Sequence, residues 1–495
     1  MKKTSIKRNI LYNTFYQVLT IILPFITAPY ISRVIGAAGI GTYSYTLSIQ
    51  TYFSMFAALG TASYGIREIA RNRDDEYKRS KIFWEIELLT VITTTICLIG
   101  WMVVIGISNE YKIFFVILTM NLINTMFDIS WFFAGMEQFK YTIIQNTFFK
   151  ILGVVALFIF VKRPEDVTLY VLIMSLSTLL GTISMWLYLP KFIKKVKFKE
   201  LKVFPHFKET LIYFIPTIAT SVYTVLDKTL IGVITKEPKQ NGYYEQAIKI
   251  INMASAVTFA SLNTVLSSRN SYLFIEKKED EIKKKINLSI NYILFLGIGM
   301  VLGLMAVTDK FVPIFYGKGY DEVITLIKIL SPLIIIIGIS NCLGSQYYNP
   351  AGLRSKSAKF IIAGASTNLV LNLILIPKFG AEGAAFATIV AESTITLLYL
   401  KFCNNFYSLK LIIKNGWKKM LSGIIMYIFI ILINNVKLNS VLIMGLQIVV
   451  GILIYVICLF VLKDEFIKTI LESIKEKYLK KVNEWEAMAK CKKWK

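Results

Sequence analysis

The feature that most narrows what this chain can fold into is the number of its long apolar runs. About fourteen segments of roughly 18 to 25 residues are predominantly apolar, each long enough to cross the ~30 Å hydrocarbon core of a bilayer as a helix. Their approximate bounds are 10–32, 40–65, 82–107, 113–135, 142–161, 167–189, 211–234, 243–268, 286–308, 322–347, 357–376, 381–401, 418–434 and 440–462. Hydrocarbon offers the backbone no water, so each span must satisfy its own hydrogen bonds, which a helix does. The expected fold class is an all-α polytopic membrane protein. The loops on one side are short, the longest being TKEPKQNG and DKFVPIFYGKGYDE, and neither holds a folded domain. The N-terminal MKKTSIKRN precedes a run too long for a signal-peptide core, so it reads as the lead into a retained first helix.

Charge orients these spans. The formal net charge is +25. With the spans placed as above, about 42 Lys/Arg fall on one side and about 10 on the other, the asymmetry of a membrane protein with its basic loops inside. Both termini are then cytoplasmic, and the basic excess faces an anionic inner leaflet. A nucleic-acid partner is excluded as a reading, because no basic stretch is joined to a plausible soluble binding fold. Five cysteines are scattered without a C-x-x-C, so neither a disulfide framework nor a metal site is expected.

The loop PKFIKKVKFKELKVFPHFKET, with seven lysines after Pro190, reads as a hinge between two halves or simply as a solvated basic loop. The expected organisation is a six-helix lobe over 1–190, this loop over 191–210, a second six-helix lobe over 211–402, two further helices over 403–462 and a basic tail over 463–495. Phe466, Ile470, Ile474, Tyr478, Val482 and Trp485 recur at helical spacing in that tail, as in an interfacial helix or a frayed solvated one. A weak internal echo relates the lobes: Gly41 and Tyr43 open a run ending at Arg67, and Gly242 and Tyr244 open one ending at Arg269. Both run in from the same side, so the repeats are parallel, a plan known among transporters.

Within this frame the stretch from Ile31 to Arg73 stands out. Arg33 ends one span, a glycine-rich turn follows (Gly36, Gly39, Gly41), and a second span ends near Arg67, Arg71 and Arg73. An arginine facing lipid costs about 2.5–3.5 kcal/mol on insertion scales, so Arg33 should face protein, water or a headgroup. It is a cation on the side where the charge rule disfavours cations. Arg33, Arg67, Lys228, Lys249 and Arg269 are the candidates for gripping a phosphate, guanidinium by bidentate hydrogen bonds and ammonium as a point charge. Positive-inside anchoring at helix ends is the structural alternative for Arg67 and Arg269, and the stronger of the two readings there. Asp128, Asp227 and Glu392 are candidates for coupling to an ion, Na+ or H+, and pairing with lysines is their structural alternative. Lys150 and Lys328 read as snorkelling or locally paired.

Catalytic signatures are missing. There is no G-x-x-x-x-G-K-[ST] phosphate loop. The single histidine, His206, sits in a predicted loop, so no Ser/His/Asp arrangement forms in the bilayer. The chain therefore reads as a transporter without catalytic residues, resident metal or cofactor.

RVIGAAGIGTYSYTLSI followed by GTASYGIREIARNRDD resembles the first two helices of the Wzx-type flippases, which belong to the multidrug/oligosaccharidyl-lipid/polysaccharide exporter superfamily. WFFAGMEQFKY resembles the end of that family's fourth helix, VLDKTLIG with NGYYEQAIKI its seventh and eighth, and NLVLNLILIPKFGAEGAAFATIVAE its eleventh and twelfth. The resemblance covers most of residues 1–402. It implies twelve core helices in two lobes, a central cationic cavity and alternating access by rocking lobes in a bacterial cytoplasmic membrane. It also implies an undecaprenyl-diphosphate-linked oligosaccharide as cargo, for capsule, exopolysaccharide or O-antigen, with a polysaccharide polymerase and chain-length machinery as possible partners alongside membrane lipids. Three other readings stay open. They are a drug or organic-cation antiporter of the same superfamily, a flippase for the peptidoglycan precursor, and, from another class, a membrane-embedded polysaccharide polymerase.

Overall fold

The computed structural model of the protein describes residues 6–260, 270–403, 406–433 and 439–469. Among them every regular element is helical, and there is no strand. In chain order the helices are α1 (Ile6–Ala58), α2 (Thr61–Arg71), α3 (Glu76–Ile107), α4 (Lys112–Phe127), α5 (Ser130–Gly135), α6 (Phe139–Phe160), α7 (Val167–Met185) and α8 (Phe204–Thr235). There follow α9 (Pro238–Ser255), α10 (Glu279–Phe315), α11 (Asp321–Leu330), α12 (Leu333–Leu343), α13 (Arg354–Lys401), α14 (Leu409–Ile433) and α15 (Ser440–Val461). Ten stretches among the described residues are long and apolar enough to cross a bilayer. Two of them hold a pair of expected spans each, because a glycine breaks the helix in the middle.

Those breaks have a local cause. In α1 the turn lies at Gly36 alone, with φ +69°, while Gly39 and Gly41 stay helical. In α13 it lies at Gly380, with φ +54°, three residues after Pro377. Pro377 removes a backbone donor and Gly380 supplies a conformation that a Cβ would strain. The second run also stops earlier than the hydropathy suggests. Leu59 and Gly60 take positive φ, and the short amphipathic α2 starts at Thr61. At Gly60 a Cβ would lie 2.8 Å from the backbone nitrogen of Phe214, so the break and the close approach of α8 require the same glycine. α8 itself opens at Phe204, inside the stretch read as the inter-lobe loop, with Pro205 in its first turn, where a missing donor is harmless.

The chain forms two compact units. The first holds everything up to Gln246 together with Phe315–Leu326 and Ile361–Thr388. The second holds Ala247–Ile314, Ile327–Phe360 and the chain from Ile389 onward. The first unit has an aromatic core in which Phe83, Trp131, Phe132 and Phe133 are buried. Gly65 and Gly135 let α2 and α5 close on it: a Cβ at Gly65 would sit 2.3 Å from the Trp131 ring, and one at Gly135 would sit 2.8 Å from Ile69. The WFFAG motif is thus core packing. In the second unit α10, α12, the helical turn Gly344–Tyr348 after it and α13 pack Ile290, Leu343, Tyr348 and Tyr399 into a common core. Large apolar side chains left exposed run along α3 (Ile96, Ile99, Val103, Ile107) and α15 (Leu442, Val449, Ile452, Phe460). On a water-soluble protein such continuous surfaces would aggregate; on a multi-pass membrane protein they face lipid.

Candidate functional site

The break at Gly36 decides where Arg33 goes. Arg33 lies one helical turn before it, exposed, on the wall of a cavity of about 400 Å³ in the first unit. The loop YGKGY, residues 316–320, folds over it. Gly317 and Gly319 take φ of +94° and +83°, and a Cβ on Gly317 would reach to 3.1 Å from Arg33 Cγ. Two tyrosines pin that loop: the Tyr320 hydroxyl donates to the Ser32 carbonyl (2.9 Å) and the Tyr316 hydroxyl to the Gln246 carbonyl (2.9 Å). The Gln246 amide in turn donates to the Ser32 hydroxyl. Lys239 from the first turn of α9 and Lys318 from the loop complete the lining with Tyr243, and no carboxylate is among the lining residues. Three cations around one hollow suit a multiply charged phosphate ester.

The hollow closes below where α1 and α9 cross. A Cβ at Gly41 would lie 1.6 Å from the Pro238 carbonyl oxygen, and one at Gly242 would lie 1.9 Å from the Ala37 carbonyl oxygen. The two glycines that carry the internal echo therefore meet each other, and their backbones touch. Just past this crossing, Lys228 pairs with Glu245 at 2.7 Å, and the Ser44 hydroxyl donates to the same carboxylate at 2.9 Å. Ser48 and Thr229 bond at 2.8 Å.

Asp227, the neighbour of Lys228, points elsewhere, as the ~100° per residue of a helix requires. It is buried, and four side chains donate to it. Asn368 (3.0 Å) and Asn372 (2.6 Å) approach one carboxylate oxygen, and Tyr244 (2.5 Å) and Thr388 (2.6 Å) the other. Asn372 Oδ1 is buried there without a hydrogen-bond partner. When a cation replaces these donors, each amide can turn about χ2 and present its oxygen to the same point as Asp227 and Thr388. The cluster then has the all-oxygen character that hard cations take.

The remaining candidates lie apart. Arg67 is on α2, with its guanidinium over the Tyr64 and Tyr213 rings at 5.4 and 5.3 Å and paired to Glu68 at 3.0 Å. Lys249 is half-buried on α9 in the second unit. Arg269 lies outside the described residues, as does the tail beyond 469. Asp128 accepts from the Ser130 backbone at 2.9 Å at the start of α5. Glu392 is buried in the second unit. Lys328 pairs with Asp309 at 2.7 Å, and Lys150 sits over the Tyr16 ring at 5.3 Å. His206 is bonded to Tyr64 (2.7 Å) and Glu85 (3.0 Å). No cluster of three or more His, Cys, Asp or Glu suited to a metal occurs among the described residues.

Sequence reasoning missed Lys239, Lys318, Tyr316, Tyr320 and the ring around Asp227. The first two carried a usable signal, since they too are cations on the sparsely charged side. The others are polar residues from distant segments, and only the fold brings them together.

Residues 6–267 match the profile of the family described as "Polysaccharide biosynthesis protein". A protein of Escherichia coli K12 named "Putative O-antigen transporter" is 25% identical over 408 residues, 81% of this chain and 98% of that one. "Probable low-salt glycan biosynthesis flippase Agl15" of Haloferax volcanii is 26% identical over 271 residues, 53% of this chain and 55% of that one. Among solved structures, one titled "Lipid II flippase MurJ, inward closed conformation" superposes with a TM-score of 0.75 at 17% identity, covering 92% of this chain and 100% of that one. That last likeness is one of fold.

Proposed function

The chain belongs to the polysaccharide biosynthesis protein family, and from that premise we propose that it is a flippase for lipid-linked oligosaccharides. Its cargo is an undecaprenyl-diphosphate-linked repeat unit destined for capsule, exopolysaccharide or O-antigen. The cargo crosses a bacterial cytoplasmic membrane by alternating access between lobes 1–190 and 211–402, with both termini in the cytoplasm. A polymerase and its chain-length machinery then act on what is delivered.

One observation carries this reading: Arg33, Lys239 and Lys318 share a hollow that no carboxylate lines. A diphosphate and its sugars lose their hydration on entering hydrocarbon, and a wet cationic hollow replaces it, while the prenyl chain stays in lipid. An exporter of organic cations would need the opposite sign there. Asp227 and its ring of amides and hydroxyls serve as the site of the coupling cation, which we take to be Na+. The carboxylate gathers two amides and two hydroxyls at one buried point, groups whose oxygens are the ligand type that a hard cation takes.

The test is flipping of a defined undecaprenyl-diphosphate oligosaccharide by the full chain in proteoliposomes. Arg33→Ala abolishes transport with insertion and abundance unchanged, and Lys239→Ala or Lys318→Ala lowers it about tenfold, the scale of one charge-assisted contact. Normal transport by the Arg33 variant removes the hollow from the cargo path. Faster flipping under an imposed H+ gradient, with no response to Na+, overturns the choice of ion.

A further inference from the structure

Helices α14 and α15 stand outside the twelve-helix core expected of the family, and the second unit places a polar cavity of about 470 Å³ at one end of them. Its floor is an ion pair buried on both sides: Lys419 Nζ lies 3.0 Å from Asp464, and it also donates to the Asn415 carbonyl at 2.7 Å. Asp464 is further engaged by the backbone N–H groups of Phe466 and Ile467. The floor is therefore satisfied internally and serves to position what surrounds it.

The rim is different. Lys284 from α10 and Lys414 from α14 are exposed at its edge, and Lys418 beside them donates to the Lys463 carbonyl at 2.9 Å. Among all lining residues the cations outnumber the acids four to two, Glu465 being the one acid not held in the ion pair. Asn287, Asn291 and Asn415 line the wall, with Asn415 bonded to Asn287 at 2.9 Å, so the amides supply neutral donors and acceptors next to the charges.

A second feature starts at the same rim. Trp417 is exposed there, and Leu421, Ile424 and Ile428 follow it, all exposed, at intervals of four, three and four residues. That spacing puts them in one stripe, which runs from the cavity along α14 over the apolar surface. An exposed tryptophan beside lysines marks a membrane–water interface. A free anion in water has no use for the stripe, and an apolar molecule has no use for the lysines. One class of ligand needs both.

We propose that this cavity holds the phosphate headgroup of an anionic glycerophospholipid of the cytoplasmic leaflet, with an acyl chain lying on the α14 stripe. Lys284 and Lys414 supply the charge, the asparagines bond to the headgroup hydroxyls, and the Lys419–Asp464 pair fixes α14 against the start of the tail. The site is separate from the Arg33 hollow and takes a resident lipid.

Native mass spectrometry of the full chain, purified in detergent with added phosphatidylglycerol or phosphatidylcholine, tests it. The wild type retains phosphatidylglycerol in preference. Lys284→Gln with Lys414→Gln lowers that retention about thirtyfold, in line with the pull of two basic residues on an anionic lipid. Lys78→Gln with Lys140→Gln, the same charge change on exposed lysines of the first unit, leaves retention unchanged. Equal retention by the first pair and the wild type, or equal losses in both pairs, overturns the proposal. So does displacement of phosphatidylglycerol by undecaprenyl diphosphate at equal concentration, which would give the cavity to the carrier lipid.

Discussion

Two buried carboxylates in the first unit illustrate what decides the fate of a charge inside a membrane protein. Glu87 is buried with neither oxygen hydrogen-bonded, whereas Asp227 accepts from four side chains on α8's neighbours α9 and α13. Desolvating an ionised carboxylate costs several kcal/mol, and only a full set of donors or a cation offsets it. Asp227 is ringed by such partners and Glu87 is not, so Asp227 is the group equipped to take a cation. Asp227→Asn keeps the shape and removes the charge. Its expected outcome is a folded, normally abundant protein whose flipping no longer responds to a Na+ gradient and falls by at least about a hundredfold, roughly 2.7 kcal/mol. Flipping assays at varied Na+ check this, and a Na+ response that survives in the variant takes Asp227 out of coupling. Sequence alone flagged Asp227 as an ionisable group within a span. It could not flag Asn368, Asn372 and Thr388, because their role depends on α13 returning to α8 some 140 to 160 residues later, and a polar residue in a span carries no mark of the partner it will meet.

At the scale of elements, glycines do the work that the sequence made visible. The breaks at Gly36 and Gly380 were legible as boundaries between apolar runs, since glycine and proline punctuate helices. The motif WFFAG was legible as a landmark, but its meaning was not: three adjacent aromatics look the same whether they stack on sugars or pack a core, and here they pack one. The echo between Gly41 and Gly242 was a matter of spacing in the sequence and is a helix crossing in the fold, where α1 and α9 touch through their backbones. Overpacking such a contact costs about 1–3 kcal/mol or more, because backbone cannot rotate out of the way as a side chain can. Gly242→Ala should lower the melting temperature of the detergent-solubilised protein and slow flipping. Gly445→Ala on α15, with open space around its Cβ position, should leave both unchanged. Equal behaviour of the two variants would mean that the α1–α9 crossing is not a close contact in the working protein.

For the whole molecule, the decisive question is which face of the membrane the Arg33 hollow opens to. Its lining comes from three places in the chain: the turn at Gly36, the start of α9 and the loop between α10 and α11. Counting spans from a cytoplasmic N-terminus puts each of the three on the outer side, and the fold of the first unit gathers them into one hollow. The basic loops, by contrast, carry Lys194, Lys197 and Lys199 on the side where the positive-inside rule puts the cytoplasm. With the N-terminus cytoplasmic, as proposed, the hollow lies at the outer end of the proposed route, and its cations must hold the diphosphate weakly enough to let it go. Lys318→Cys and Lys199→Cys, each in a chain whose five native cysteines are replaced by serine, separate the alternatives. A membrane-impermeant maleimide added to intact cells should label Lys318→Cys at once and Lys199→Cys only after permeabilisation. The reverse pattern would turn the hollow to the cytoplasm and make Arg33 a residue of cargo capture. The predicted order of events at that site would then invert, although its chemistry would not change.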